Sequence, residues 1–426
     1  MSSEIDLLRS LDPEPPTPST VDITRAIAAG RKRRLRRGVG YAGVAAVTTL
    51  AIAGAAVAVG QHGKTTKQPT TVAASPKPSA SKVPKGNYTI PSTPNWGTVE
   101  AIPPTSCTIE KLPVPDGVRM ALVSGGDPGG SWFVGRSYPK GGGYQAVIWH
   151  AGTATKVMLP GDLEENLVDV TANGDAVGWS YVQSGADGVK RPYAYVGRKI
   201  VQLKGVATGA ANAINEAGAI AGEGGANPGT GRDQAVVWPS ATAAPIVLPV
   251  PKGTAESTAS DIDEDGTVVG SLDLKVPYVW FADGTYRALP LPTINGKKAV
   301  SARVFSIRNG WATGVADATS QDLAGANPGD GVAVRWNVRT GEVRLDDRGW
   351  DDMVDATNAQ GWAVGMIKGR ATYVAGDHKI VLPEVAKHDA GTLSTIANTL
   401  SDNGKVIGGQ SDDASDTIRA VVWHCQ

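Results

Sequence analysis

One unit of about forty-odd residues recurs along this chain, and such a period constrains the fold more than any other feature of the sequence. AVIWHAGTATKVMLP followed by ENLVDVTANGDAVGWS fills 146–180. AVVWPSATAAPIVLP with STASDIDEDGTVVGSL repeats it over 235–272, and PYVWFADGTYRALPLP with RVFSIRNGWATGVA over 277–316. AVRWNVRTGEVRL with MVDATNAQGWAVGMI repeats it over 333–367. Two weaker copies place Tyr195 and Tyr373 where the others have Trp. The closing glycine falls at Gly135, Gly178, Gly222, Gly270, Gly314, Gly365 and Gly408, which marks seven units.

Each unit holds four short segments. The first ends in Trp or Tyr and the second in Leu-Pro (Leu159-Pro160, Leu248-Pro249, Leu289-Pro290, Leu382-Pro383). A variable connection leads to the third, and an Asn-Gly or Asp-Gly turn such as Asn173-Gly174 or Asp265-Gly266 leads into the fourth. Such turns between short apolar runs signal hairpins, because Asn, Asp and Gly tolerate the positive φ required. Four antiparallel strands repeated seven times predict an all-β, seven-bladed β-propeller over 106–426. A β-solenoid is the rival architecture. The units show no 3.6-residue period, which excludes a helical solenoid.

The ends of the array sharpen this reading. RAVVWHCQ is a first segment alone, and SCTIEKLPVP is a second segment lacking its first. Matching Trp423-His424-Cys425 to Trp149-His150-Ala151, and Thr108–Pro113 to Thr155–Pro160, makes the two ends share one blade and close the ring. Cys425 and Cys107 then stand at the positions of Ala151 and Ala154, cross-strand neighbours about a two-residue turn. That spacing suits a disulfide, and a Cys107–Cys425 bond belongs to an oxidising exterior.

The first 105 residues read differently. A cytoplasmic tail is expected over 1–37, ending in six basic residues of the seven from Arg31 to Arg37. Val39–Val59 carries no charge and is long enough for a transmembrane helix, assigned to 38–60. The basic flank places the N-terminus in the cytoplasm. The rival is a cleaved signal with Ala56-Val57-Ala58 at its end, which would leave a secreted protein. Residues 61–105 are rich in Thr, Pro, Ser and Lys, and such a composition predicts a disordered stalk. Ser79-x-x-Lys82 inside it is a chance match to a penicillin-binding signature.

Composition excludes some functions. The first 105 residues hold 13 Lys/Arg against 6 Asp/Glu, leaving 28 against 35 in the body. A mildly acidic body without basic clusters argues against a nucleic-acid partner. The membrane, through 39–59, and an extracellular ligand or protein are the partners expected, for a monomer.

The segment Ala213-Ile214-Asn215-Glu216-Ala217-Gly218-Ala219-Ile220-Ala221-Gly222 resembles the repeats of the HAF family of extracellular proteins, and 261–270 follows it loosely. The family's His-Ala-Phe opening is replaced here by Ala-Val. The resemblance implies an exported β-rich fold and carries no agreed activity. The amino-terminal layout is similar to that of actinobacterial single-span membrane proteins.

Chemistry is sparse. Asp261-x-Asp263-x-Asp265-Gly266 opens like a calcium loop, but its twelfth position is Leu272 rather than Glu. No His-Glu-x-x-His, Cys-x-x-Cys or Gly-x-Ser-x-Gly occurs, so no catalytic residue, cofactor or metal is assigned. All long connections fall on one face of a propeller with these tight turns. Candidate contacts there are Asn227, Pro228, Asn327, Pro328, Trp350 and Asp351. A binding or sensing module is the first functional reading. An exported lyase or hydrolase, favoured if acidic residues converge on the channel beyond those that backbone needs, is the second. A passive wall-associated structural protein is the third.

Overall fold

The computed structural model describes residues 83–426, apart from 94–95, 98–99, 140–142, 162–163, 183–187, 226–232, 319–330 and 352. Seven four-stranded antiparallel sheets form the blades of a propeller. Blade one comprises Ala121–Gly126, Trp132–Ser137, Gln145–His150 and Thr153–Val157 from inside outward. Blade two runs from Glu165–Val170 to Lys199–Gln202, blade three from Thr208–Ile214 to Ile246–Val247 and blade four from Ser257–Ile262 to Tyr286–Ala288. Blade five comprises Ser301–Arg308, Trp311–Asp317, Gly331–Asn337 and Glu342–Leu345, and blade six runs from Val354–Thr357 to His378–Val381. The first strand of each blade touches the first strands of its neighbours, so these strands line the centre. The expected span at 38–60 and tail at 1–37 lie outside the described residues. Among the described residues no helix is long and apolar enough to cross a membrane.

The ring closes in blade seven. Thr395–Leu400, Val406–Asp412 and Ile418–Cys425 come from the end of the chain, and Cys107–Lys111 adds the outer strand. Cys107 lies directly opposite Cys425 and is disulfide-bonded to it, with Cα atoms 4.0 Å apart. The pairing is as expected, but the alignment behind it is two residues out. Ile109 opposes Trp423 as Ala154 opposes Trp149, so Cys107 corresponds to Gly152 rather than Ala154. Blade one has two extra residues before its Leu-Pro, which displaces any match made from that signature.

The repeat read from Trp onward straddles two blades, since the Trp segment is the third strand. Trp149, Trp238, Trp280, Trp336 and Trp423 are fully buried. Each indole N–H donates to a carbonyl of the preceding blade, at Pro113, Lys204, Pro249, Pro290 and Pro383, over 2.7–2.8 Å. The Leu-Pro signature therefore presents an acceptor to the next blade. Tyr195 occupies the Trp position, opposite Ala176, whereas Val374 occupies it in blade six and Tyr373 stands one residue earlier.

Every inner strand carries a bulge at the same place, for example between Leu167 and Asp169 or Ala259 and Asp261. The bulge explains the closing glycine. A Cβ on Gly270 would sit 1.8 Å from the Thr258 carbonyl oxygen, and one on Gly178 would sit 2.0 Å from that of Asn166. By register the seventh such glycine is Gly409, opposite Ala397, and not Gly408. Most inner turns are three-residue loops ending in a left-handed glycine, such as Gly174 at φ 80°. Blade five alone among the seven uses the two-residue Asn309-Gly310 turn, with both φ positive.

Part of the segment expected to be disordered is a strap. Gly86 N–H donates to Gly284 O, Ile90 is buried in the core of blades three and four, and Thr93 N–H donates to Glu264 O. Farther on, Thr105 N–H donates to Gln426 O. The described residues among 83–106 thus lie against the tight-turn face before the chain enters blade seven. Scattered apolar residues within a Ser/Pro/Thr background do the anchoring.

Candidate functional site

The channel is the first place to look for chemistry. Burial pushes the Asp169 carboxyl well above its ordinary value, and that of Asp261 up to about 7. Both side chains are already committed. Asp169 accepts the N–H groups of Val170 and, across the blade boundary, Ile214. Asp261 accepts those of Ile262 and Ile307 in the same way. Each carboxylate stitches its inner strand to the next, a role the bulge geometry makes available.

At the tight-turn mouth Arg308 forms a hub. Its guanidinium binds Asp402 through Nε at 3.0 Å and a terminal nitrogen at 2.6 Å, and Glu264 at 2.9 Å. Glu264 also accepts Glu216 N–H, Glu216 accepts Ala172 N–H, and Asp402 accepts Ala359 N–H. Trp96 of the strap lies 5.7 Å from the Arg308 guanidinium and donates weakly to Asp402. These acids join successive blade turns into a belt. The calcium-like sequence belongs to it: Asp263 accepts Glu264, Asn309 and Gly310 N–H groups, and Asp265 accepts Thr267 N–H and pairs with Arg339. Its carboxylates aim at separate donors instead of a common centre.

A different kind of site lies between blades five and six. In six blades the residue before the Trp position is apolar and buried: Ile148, Ala194, Val237, Val279, Tyr373 and Val422. Side chains alternate along a strand, so this residue faces away from the Trp, toward the following blade. Blade five has Arg335 there, flanked in register by Thr313 and Arg344. A polar row therefore replaces packing, and a cleft of about 280 Å³ opens between the blades. Trp311, Arg335, Arg344, Arg348, Asn358 and Gln360 contribute to its lining. Asn309 and Gly361, from the inner turns, also line it and place it toward the tight-turn face.

The charges in this cleft differ in their commitments. Arg348 pairs with Asp346 and donates to Gly361 O at 3.0 Å. Burial would raise the Asp346 carboxyl, yet Arg348, with Arg335 nearby, holds it below the usual carboxylate value. Arg344 pairs with Glu342 at the exposed outer strand. Among the described residues Arg335 forms no ion pair, although it lies near Asp346, and its Nε is buried without a hydrogen bond. Its guanidinium lies 5.5 Å from the Trp311 ring centroid, and that of Arg344 lies 5.9 Å from it. By contrast, Lys190, buried between blades two and three, has Glu223 at 3.6 Å.

The loop residues expected to make contacts fare differently. Asn227, Pro228, Asn327 and Pro328 lie outside the described residues. Trp350 is half-buried, packed with Ala333, Val354 and Ala363 between blades five and six, with its ring over Gly365. Asp351 accepts the Lys368 and Gly369 N–H groups and so holds a turn of blade six. Arg335 was legible in the repeat: AVRW stands where the other copies read AVIW, AVVW or YVW.

Fold and disulfide together define a seven-bladed propeller clasped by its own first strand. No protein-family model matches the chain, and no curated protein does, so the HAF resemblance has no support beyond the residues that suggested it. Solved structures similar in fold include the extracellular domain of a putative one-component system from B. thetaiotaomicron (8% identity, TM-score 0.42, 73% of this chain). This chain spans 39% of that structure's length. The β-propeller domain of the Trilobed protease from Pyrococcus furiosus shares 10% identity over 72% of this chain and 94% of its own, at TM-score 0.44. Oligogalacturonate lyase from Vibrio parahaemolyticus shares 11% over 75% and 97%, at TM-score 0.47.

Proposed function

We propose that this chain is a membrane-tethered binding or sensing module that presents its propeller outside the cell. In this reading 39–59 spans the membrane, 1–37 stays in the cytoplasm and the propeller acts as a monomer on an extracellular ligand, not on nucleic acid. The observation that carries it is the Cys107–Cys425 bond at the ring closure, since such bonds persist in oxidising compartments. The lyase or hydrolase reading called for channel acids beyond those the backbone needs. Asp169, Asp261, Glu216, Glu264 and Asp402 all serve neighbouring N–H groups, which favours binding over chemistry.

The test is protease treatment of intact cells expressing the full chain. Digestion of the propeller with protection of a fragment containing 1–37 is the expected result. A propeller protected until the cells are lysed would contradict it, and release of an intact propeller into the medium would favour the cleaved-signal alternative.

A further inference from the structure

We propose that the cleft between blades five and six is a site for an oxyanion group, the carboxylate of a sugar acid or the phosphate or sulfate ester of a small sugar. The proposal rests on the binding-module reading and gives it a place and a ligand chemistry.

Six blades fill the position before the Trp with apolar side chains, and blade five has Arg335 there, beside Thr313 and Arg344 on the adjacent strands. A part-buried cation without a counter-ion is costly, and proteins ordinarily pair such charges. Here the nearby acids are already used. Asp346 is held by Arg348 and Glu342 by Arg344, and no carboxylate lines the cleft among the described residues. The Trp311 ring supports the two guanidinium groups from the side, but a π-face supplies no hydrogen-bond acceptor for their N–H groups. Arg335 thus keeps a guanidinium without an ion-pair partner among the described residues, and a planar carboxylate or a tetrahedral oxyanion suits such a group.

Size narrows the ligand. A space of about 280 Å³ holds a group such as a single sugar residue, but not a folded partner. Trp311 offers an apolar surface beside the arginines, a mixture suited to a ring bearing one negative charge. Arg335 and Arg344 stand on paired strands of blade five, which fixes them in place, while Arg348 and the turns at 309 and 358–361 complete the cleft.

The experiment is calorimetric titration of the full chain in detergent with glucuronate, inorganic phosphate and inorganic sulfate, one probe at a time. It is repeated on Arg335→Met, which keeps the apolar stem, and on Arg339→Met, whose partner Asp265 lies outside the cleft. Saturable binding of at least one probe is expected, weakened at least about tenfold in R335M and unchanged in R339M. Glucuronate as the preferred probe would assign a carboxylate ligand; phosphate or sulfate would assign an ester. Thermal midpoints are read on the same samples, and R335M is expected to melt no lower than the parent. Binding that survives R335M would overturn the cleft assignment while leaving the module reading intact. Binding of none of the probes would also overturn it, and R335M less stable than the parent would then make Arg335 a structural residue.

Discussion

Removing the clasp has a calculable consequence. The disulfide joins residues 318 apart, so it closes nearly the whole propeller into one covalent loop. For a loop of that length the chain-entropy relation gives about 19 cal/mol/K, or roughly 5.7 kcal/mol at 25 °C. This is a ceiling, because an unfolded chain with residual structure loses less. A decrease of about 2–5 kcal/mol is the working expectation for the Cys107→Ser, Cys425→Ser double variant. The structure also says where the loss begins. The outer strand Cys107–Lys111 is five residues long and has no fully buried side chain, whereas its partner Ile418–Cys425 is mostly buried. Without the bond, 107–111 should peel away first, taking the Pro113 carbonyl from the Trp149 indole. The assay is urea unfolding of oxidised, reduced and double-variant protein, compared at the midpoint because a repeat array need not unfold in one step. Limited proteolysis accompanies it, with early cuts expected between 83 and 113. Coincident midpoints and unchanged cleavage would refute the idea that the bond holds the ring shut.

Further predictions follow from the repeat geometry. Trp280→Phe leaves the Pro249 carbonyl unpaired in the core and should lower stability by about 1–3 kcal/mol, read from urea midpoints. Gly270→Ala places a Cβ 1.8 Å from a backbone oxygen, while Gly365→Ala meets its neighbours at 3.0–3.2 Å. The first should therefore unfold at a distinctly lower temperature than the second, and equal melting would contradict the bulge argument. Burial pushes Glu165 up to about 7 from 4.5, against the pull of the Ala146 N–H it accepts. The folded state thus favours the protonated acid. Relative to Glu165→Gln, the parent should lose stability as pH rises from about 4.5 to about 7, and then run parallel. Midpoints against pH that stay parallel throughout would contradict this. Trp96→Ala removes the strap's contact with Arg308 and Asp402 and should raise protease cleavage within 83–105 without changing the far-ultraviolet circular dichroism.

The blades were legible because their signals are local and repeated. Asn-Gly turns, alternating apolar strands and a recurring Trp need no knowledge of distant neighbours. The closing cysteines were legible because the array's two partial segments complement each other. What escaped was whatever depends on neighbouring blades. The bulge that demands glycine at Gly270 is invisible in sequence, and so is the role of Pro249 as acceptor for the Trp280 indole. The strap escaped because composition averages over Ile90 and Trp96, the residues that dock. Trp350 attracted attention as an aromatic among charges, yet it packs between blades. Arg335 does carry a signal in the sequence, a charge at a position that is apolar in every other copy.

The measurement that bears most directly on the whole account is peptide mapping, with and without reductant, of protein purified from the membrane fraction. The account predicts a linked Cys107–Cys425 peptide that separates on reduction, together with a peptide from upstream of Val39 in the same sample. Free thiols at both cysteines would contradict both the clasped ring and the exported propeller.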